Sequence, residues 1–209
     1  MAKPYKRPLR LASAEFTEKK SRFIGSISPA SSEEEALSFL HGIRASHREA
    51  SHNVYAYRIY VGGICRHSDD GEPSGTAGMP LLDVFLKQDI YDFCCVATRY
   101  FGGVLLGAGG LVRAYARCAA AALEASGVGQ MRELTLCSVT LAYSQYDAVR
   151  RLLKASGAEI TSEDFGAEVS LRFSIISDTM PELAGSLTEQ TAGAVILNIE
   201  GTVFGSTVM

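Results

Sequence analysis

Thr98-Arg99-Tyr100-Phe101-Gly102-Gly103-Val104-Leu105-Leu106-Gly107-Ala108-Gly109-Gly110-Leu111-Val112-Arg113-Ala114-Tyr115 gives the clearest structural signal in the chain. The apolar residues 93–98 predict a buried strand that runs into it, and an alanine-rich helix ending near Glu124 follows. Between them, five glycines (Gly102, Gly103, Gly107, Gly109, Gly110) make a loop through which backbone amides can approach an anion, and the helix start adds unpaired N–H groups. No Gly-Lys-Ser/Thr occurs, so this is not a P-loop, and Val112 stands where a dinucleotide fingerprint needs its third glycine. The glycines equally suit a tight strand-to-helix turn with close backbone packing, as do Ala114, Ala119 and Ala122. Either use predicts that Gly109 and Gly110 refuse a bulky side chain.

Arg113 and Arg117 lie four residues apart and so on one helix face, with Arg99 leaving the strand near the helix start. Three guanidinium groups there could clamp phosphate or carboxylate. They could instead pair with the acids of the loop Ser68-Asp69-Asp70-Gly71-Glu72-Pro73-Ser74-Gly75-Thr76. Two glycines and a proline give that loop a stiff, specific shape. Its adjacent aspartates lack the alternating ligand pattern of a calcium loop.

Further along the chain, residues 9–16 and 22–28 read as a hairpin around Thr17-Glu18-Lys19-Lys20. Ser32 begins a helix with Glu35 placed for a capping box. Residues 53–60, rich in aromatic and β-branched types, read as a strand with Tyr55, Tyr57 and Ile59 on a core-facing side. A short strand over 64–67 and a helix over 79–87 complete the first half. From residue 134 the pattern becomes strand 134–142, helix 144–156, two strands separated by Gly166, helix 180–191 opened by Thr179 and Pro181, and strand 195–204. This β-α-β-β-α-β order is that of a ferredoxin-like module, and Gly127-Val128-Gly129 is the natural boundary. The domains expected are 1–128 and 131–209.

The chain has 209 residues, 47% of them hydrophobic, enough for a sizeable core. Its net charge of −3 is uneven: residues 1–130 hold 15 Lys and Arg against 13 acids, and residues 131–209 hold 5 against 10. Neither half has the basic excess of a protein that grips long nucleic acid, so any RNA contact must be local. The apolar stretches 104–112 and 119–123 fall short of the roughly 18 residues of a membrane helix, and the basic start has no apolar run behind it. A cytoplasmic protein that makes no membrane contact is expected. Five cysteines (Cys65, Cys94, Cys95, Cys118, Cys137), odd in number and without a C-x-x-C pair, read as reduced, mostly buried thiols, Cys94 and Cys95 pointing to opposite strand faces. His47, His52 and His67 form no metal-ligand spacing, and no nucleophile elbow occurs, so no metal, cofactor or catalytic residue is assigned.

Lys20-Ser21-Arg22-Phe23-Ile24, His52-Asn53 with Ala56-Tyr57-Arg58, residues 68–78 and residues 98–115 together closely resemble the IMPACT/YigZ family signature. The resemblance covers roughly residues 15–125; Val54 departs from it, since the family commonly has cysteine after His-Asn. It implies an α+β protein: an N-terminal domain like the second domain of ribosomal protein S5, then a C-terminal domain like those of translocation elongation factors. It further implies a translation-linked regulatory or binding protein that contacts RNA, the ribosome or a translation-associated protein. The expected ligand-binding residues are Ser68, Asp69, Asp70, Glu72, Ser74 and Thr76 of the first loop, then Arg99, Tyr100, Gly102, Gly103, Gly107, Gly109, Gly110, Arg113 and Arg117. The alternative is a phosphate- or nucleotide-binding enzyme that uses the glycine-rich loop 102–110.

Overall fold

The structure, a computed structural model, describes residues 3–208. It divides into two compact units, Tyr5–Gln130 and Met131–Gly205. Both mix antiparallel sheet with helices, so the protein is α+β.

In the first unit the elements are β1 (Tyr5–Pro8), β2 (Ala12–Glu18), β3 (Ser21–Pro29), α1 (Glu33–Ser46), β4 (His52–Ile59), β5 (Ile64–Ser68), α2 (Gly78–Lys87), β6 (Phe93–Tyr100) and α3 (Ala108–Ser126). The sheet runs β2-β3-β6-β4-β5, all pairs antiparallel. Its central strand β6 is buried through Arg99 because helices cover both faces. On one face Phe23, Val54, Ala56, Cys95 and Ala97 pack with Phe85, Leu111 and Tyr115. On the other, Tyr57, Ile59, Cys94 and Val96 pack with Ala36 and Leu40 of α1. Period-2 alternation thus sends adjacent Cys94 and Cys95 into different cores. α3 lies close on β3: a Cβ at Gly25 would meet the Cys118 carbonyl oxygen at 2.6 Å.

The Ser32 cap forms, its hydroxyl accepting from Glu35 N at 3.1 Å. The Glu35 carboxylate reaches one residue further back than a capping box requires, to Ser31 N at 2.7 Å. The hairpin turn is tighter than its sequence suggests. Glu18 pairs with Ser21, leaving a two-residue turn at Lys19-Lys20 with φ of 42° and 67°, the left-handed pair that fits the twist of a hairpin.

The first strand was hidden in what reads as a basic leader. Tyr5 is buried, stacks on Tyr60 at 4.1 Å and donates its hydroxyl to Asp92. Lys6 O accepts from Tyr91 N at 2.8 Å. Every one of these partners is more than 50 residues away, so no local pattern announces the strand.

The second unit contains β7 (Val128–Leu141), α4 (Tyr143–Ala155), β8 (Glu159–Phe165), β9 (Val169–Ile176), α5 (Met180–Thr191) and β10 (Leu197–Val208). β7 pairs with β9 and β9 with β8, both antiparallel, and β10 also pairs with β7. The inward face of β7 and β9 (Cys137, Val139, Leu141, Leu171, Phe173) meets Val149 and Leu153 of α4 and Leu183 and Leu187 of α5. The glycine stretch at 127–129 is not a loop: Gly127, at φ 71°, ends α3, and Val128 already begins β7.

Candidate functional site

A buried ionic cluster lies where β6 ends, between the 68–76 loop and α3. β6 is flanked there by β3 and β4, so Arg99 faces Phe23 on one neighbour and His52 on the other. Its guanidinium is buried, 5.5 Å from the Phe23 ring centroid and 5.3 Å from that of Phe101. A charge in that position requires a partner, and Glu72 supplies it: Nη1 donates to Oε1 at 2.6 Å. The Tyr115 hydroxyl donates to the same oxygen at 2.6 Å. Burial, followed by that bond to a carboxylate, pushes the Tyr115 phenol far above its ordinary pKa. Arg99 Nη2 donates to Ser21 Oγ at 3.3 Å, which also accepts from Gly102 N at 3.3 Å.

The two aspartates are likewise turned inward. Asp69 accepts from Gly75 N (2.8 Å), Ala77 N (3.0 Å) and Gly78 N (2.8 Å), capping α2 from outside the helix. Burial would raise its pKa, but the three amides outweigh that and hold the carboxyl below its usual value. Asp70 accepts from Arg44 Nη2 and Asn53 N, both at 2.6 Å, and its carbonyl faces His52 Nδ1 at 2.8 Å. The other imidazole nitrogen, Nε2, stands 3.9 Å from Glu72. Ser68 Oγ accepts from Asp70 N at 3.1 Å, Thr76 donates to Pro73 O at 2.6 Å, and Tyr100 meets His47 at 2.9 Å; Ser74 is exposed.

Of the two arrangements the sequence left open, Arg99 adopts the internal one, so it cannot share a surface clamp with Arg113 and Arg117. Those two remain outside, exposed on α3. Arg113 has no ion-pair partner among the described residues. Arg117 lies over the Phe16 ring at 4.2 Å and reaches Glu18 only at 3.9 Å. With Lys19 they border a cavity of about 260 Å³, for which Phe16 and Leu106 supply apolar surface. Gly107 precedes α3 as its N-cap without a side-chain cap, and the first bond of the helix is Leu111 N to Gly107 O at 3.0 Å.

The glycines divide. Gly102 is packed so closely that a Cβ would lie 2.0 Å from Lys20 O; Gly103 and Gly107 have φ of 80° and 75°. Gly109 sits in α3 with nothing nearer than Arg113 Nη1 at 3.6 Å, and a Cβ at Gly110 would meet Leu106 Cβ at 3.0 Å. The expected intolerance at Gly109 is therefore misplaced and belongs to Gly102. Three residues not expected in the site join this network: buried Ser21 and the partly exposed His52 and Arg44 at its edge. The available signal was that Ser21 and His52 stand in the signature blocks.

Among the described residues no group of three or more His, Cys, Asp or Glu could hold a metal, and no helix is long and apolar enough to cross a membrane. All five cysteines are free, and burial pushes the Cys94 and Cys118 thiols up to about 12. Iodoacetamide at pH 8 is expected to label native protein at half-exposed Cys65 and leave Cys94 and Cys118 unmodified until denaturant is added. Peptide mass mapping checks this, and rapid native labelling of Cys118 would contradict the packing of α3 on β3.

Fold and site together describe a two-unit α+β protein whose most distinctive loops close over a buried ionic cluster. The chain belongs to the IMPACT family. The Impact N-terminal domain matches residues 19–123, and a domain of unknown function, DUF1949, matches residues 139–194. IMPACT family member YigZ of Escherichia coli (strain K12) is 33% identical over 182 residues, covering 86% of this chain and 89% of that one. IMPACT family member YvyE of Bacillus subtilis (strain 168) is 41% identical over 143 residues, 68% of this chain and 66% of that one. A crystal structure titled as that of an hypothetical protein superposes with a TM-score of 0.60 at 30% identity, covering 94% of this chain and 97% of the other.

Proposed function

We propose that this is a non-enzymatic, translation-linked binding protein, cytoplasmic, that contacts RNA, the ribosome or a translation-associated protein through the α3 side of its first unit. The observation that carries the reading is a separation of charges. Asp69, Asp70 and Glu72 are each consumed by internal donors, whereas Arg113, Arg117 and Lys19 are exposed around one cavity with Glu18 as the opposing charge on its lining. That face is locally positive on a chain of net charge −3, which suits a local polyanion contact and not an extended grip. Buried, unpaired thiols suit a reducing compartment. The finer fold reading goes with this proposal: an S5 domain 2-like first unit and a ferredoxin-like second unit. The second is supported by the β-α-β-β-α-β order and the placement of β9 between β7 and β8.

The alternative, an enzyme cradling phosphate in loop 102–110, is less well supported. Gly102 is filled by the Lys20 backbone, and the nearby carboxylates are already engaged by other groups.

Filter binding of single-stranded RNA to the full chain across a salt series tests the proposal. The parent should bind with a Kd on the order of 1–100 µM at physiological salt. Arg113→Ala and Arg117→Ala should each weaken binding for all sequences alike and reduce the salt slope by about one contact, with Arg172→Ala as control. Equal binding by both variants and the parent would remove this face as the contact.

A further inference from the structure

Three cations, Lys19, Arg113 and Arg117, and one carboxylate, Glu18, border the cavity between the β2–β3 hairpin and α3. Counted together they leave it two positive charges. The single opposing acid does not neutralise them: it stands 3.9 Å from Arg117, and Arg113 has no ion-pair partner among the described residues. Charge on this scale beside an apolar surface is satisfied by a compact dianion carrying an organic body. A phosphodiester or a carboxylate brings one negative charge, whereas a phosphate monoester brings about two at neutral pH, its second pKa being about 6.

The donors suit that group as well as the charge does. Arg113 and Arg117 are successive on one face of α3, and each guanidinium presents a fork matched to phosphate oxygens. Arg113 folds back over the helix start, its Nη1 within 3.6 Å of where a Cβ of Gly109 would stand. The first turn of α3, which has no side-chain cap, reaches the cavity at Gly110. Phe16, Leu106 and Ala114 offer the apolar contact for the body that carries the phosphate. The volume, about 260 Å³, is that of roughly one nucleotide-sized group and not of a strand passing through.

We propose that this cavity is a binding site for a phosphate monoester on a compact organic body, either a free small molecule or the terminal phosphate of an RNA. The inference deepens the reading that this face meets anions, and the experiment separates the two. Binding of the full chain to one oligoribonucleotide is compared with its 5′ end phosphorylated and with its 5′ end as the hydroxyl, alongside titration with 5′-AMP and adenosine. The phosphorylated oligonucleotide should bind about tenfold tighter, the gain of one charge-assisted hydrogen bond of ordinary strength. That difference should vanish in Arg113→Ala and Arg117→Ala, while 5′-AMP and not adenosine competes. Glu18→Gln should strengthen monoester binding severalfold, because it removes the one like charge facing the ligand. If neither oligonucleotide binds but 5′-AMP does, the site stands with a small-molecule ligand and the RNA reading falls. If both oligonucleotides bind equally and 5′-AMP does not compete, the monoester site is wrong while the polyanion reading survives.

Discussion

Glu72→Ala should be the most destabilising single change in the first unit, costing about 3–5 kcal/mol, because it strands a buried guanidinium without its counter-charge. Glu72 Oε1 takes both Arg99 Nη1 and the Tyr115 hydroxyl at 2.6 Å, so its removal also leaves a buried phenol without its acceptor. Arg99→Ala should cost nearly as much. The pair is not expected to be worth that sum: desolvation offsets most of the attraction, so Glu72→Leu combined with Arg99→Met should lose far less than the two single variants added together. Thermal melts of the three variants give the test. For a unit of this size the singles should lower the melting temperature on the order of 10 °C. If Arg99→Ala melts with the parent and instead loses RNA binding, the guanidinium works at the surface and the buried ion pair is not how the protein uses it.

That pair also marks where sequence reading stopped. Element order was legible almost throughout, because it rests on local signals. Thr179 and Pro181 place the start of α5, and Met180–Thr191 is the helix found. Alternation assigns Tyr57 and Ile59 to one core and Val54 and Ala56 to another. Non-local partnerships were not legible. Arg99 could be joined on paper to Glu72 or to an external anion, and the two possibilities differ only in a contact across 27 residues. β1 was missed for the same reason, since Tyr5 finds its place through Tyr60 and Asp92. The acidic loop advertised three carboxylates in four residues, and nothing local says that all would turn inward. That Arg113 and Arg117 share one face of α3 was legible, because the helix period alone decides it; that this face is exposed was not.

Gly102→Ala should lower stability by about 2–4 kcal/mol, more than any other alanine substitution in the loop, because the added carbon has nowhere to go. The clash is with the main chain of Lys20: the new Cβ would stand 2.0 Å from Lys20 O and 2.1 Å from Lys20 C, so rotating a side chain cannot relieve it. Relief requires the hairpin turn or the loop to shift. The turn is held in the left-handed region at both Lys19 and Lys20, and the loop is tied through Gly102 N to the serine that also receives Arg99. Displacement on either side therefore reaches the buried ion pair. Gly103→Ala provides the comparison, since at φ 80° with open space around it the cost should be only the left-handed penalty of about 1–2 kcal/mol. Gly109→Ala should be neutral or gain up to about 1 kcal/mol, because it replaces a glycine inside a helix where a Cβ meets no backbone. Chemical denaturation of the three variants should rank them in that order. A Gly102→Ala protein as stable as Gly109→Ala would mean that hairpin and loop are not in contact, and that the glycines serve an open ligand-facing loop instead.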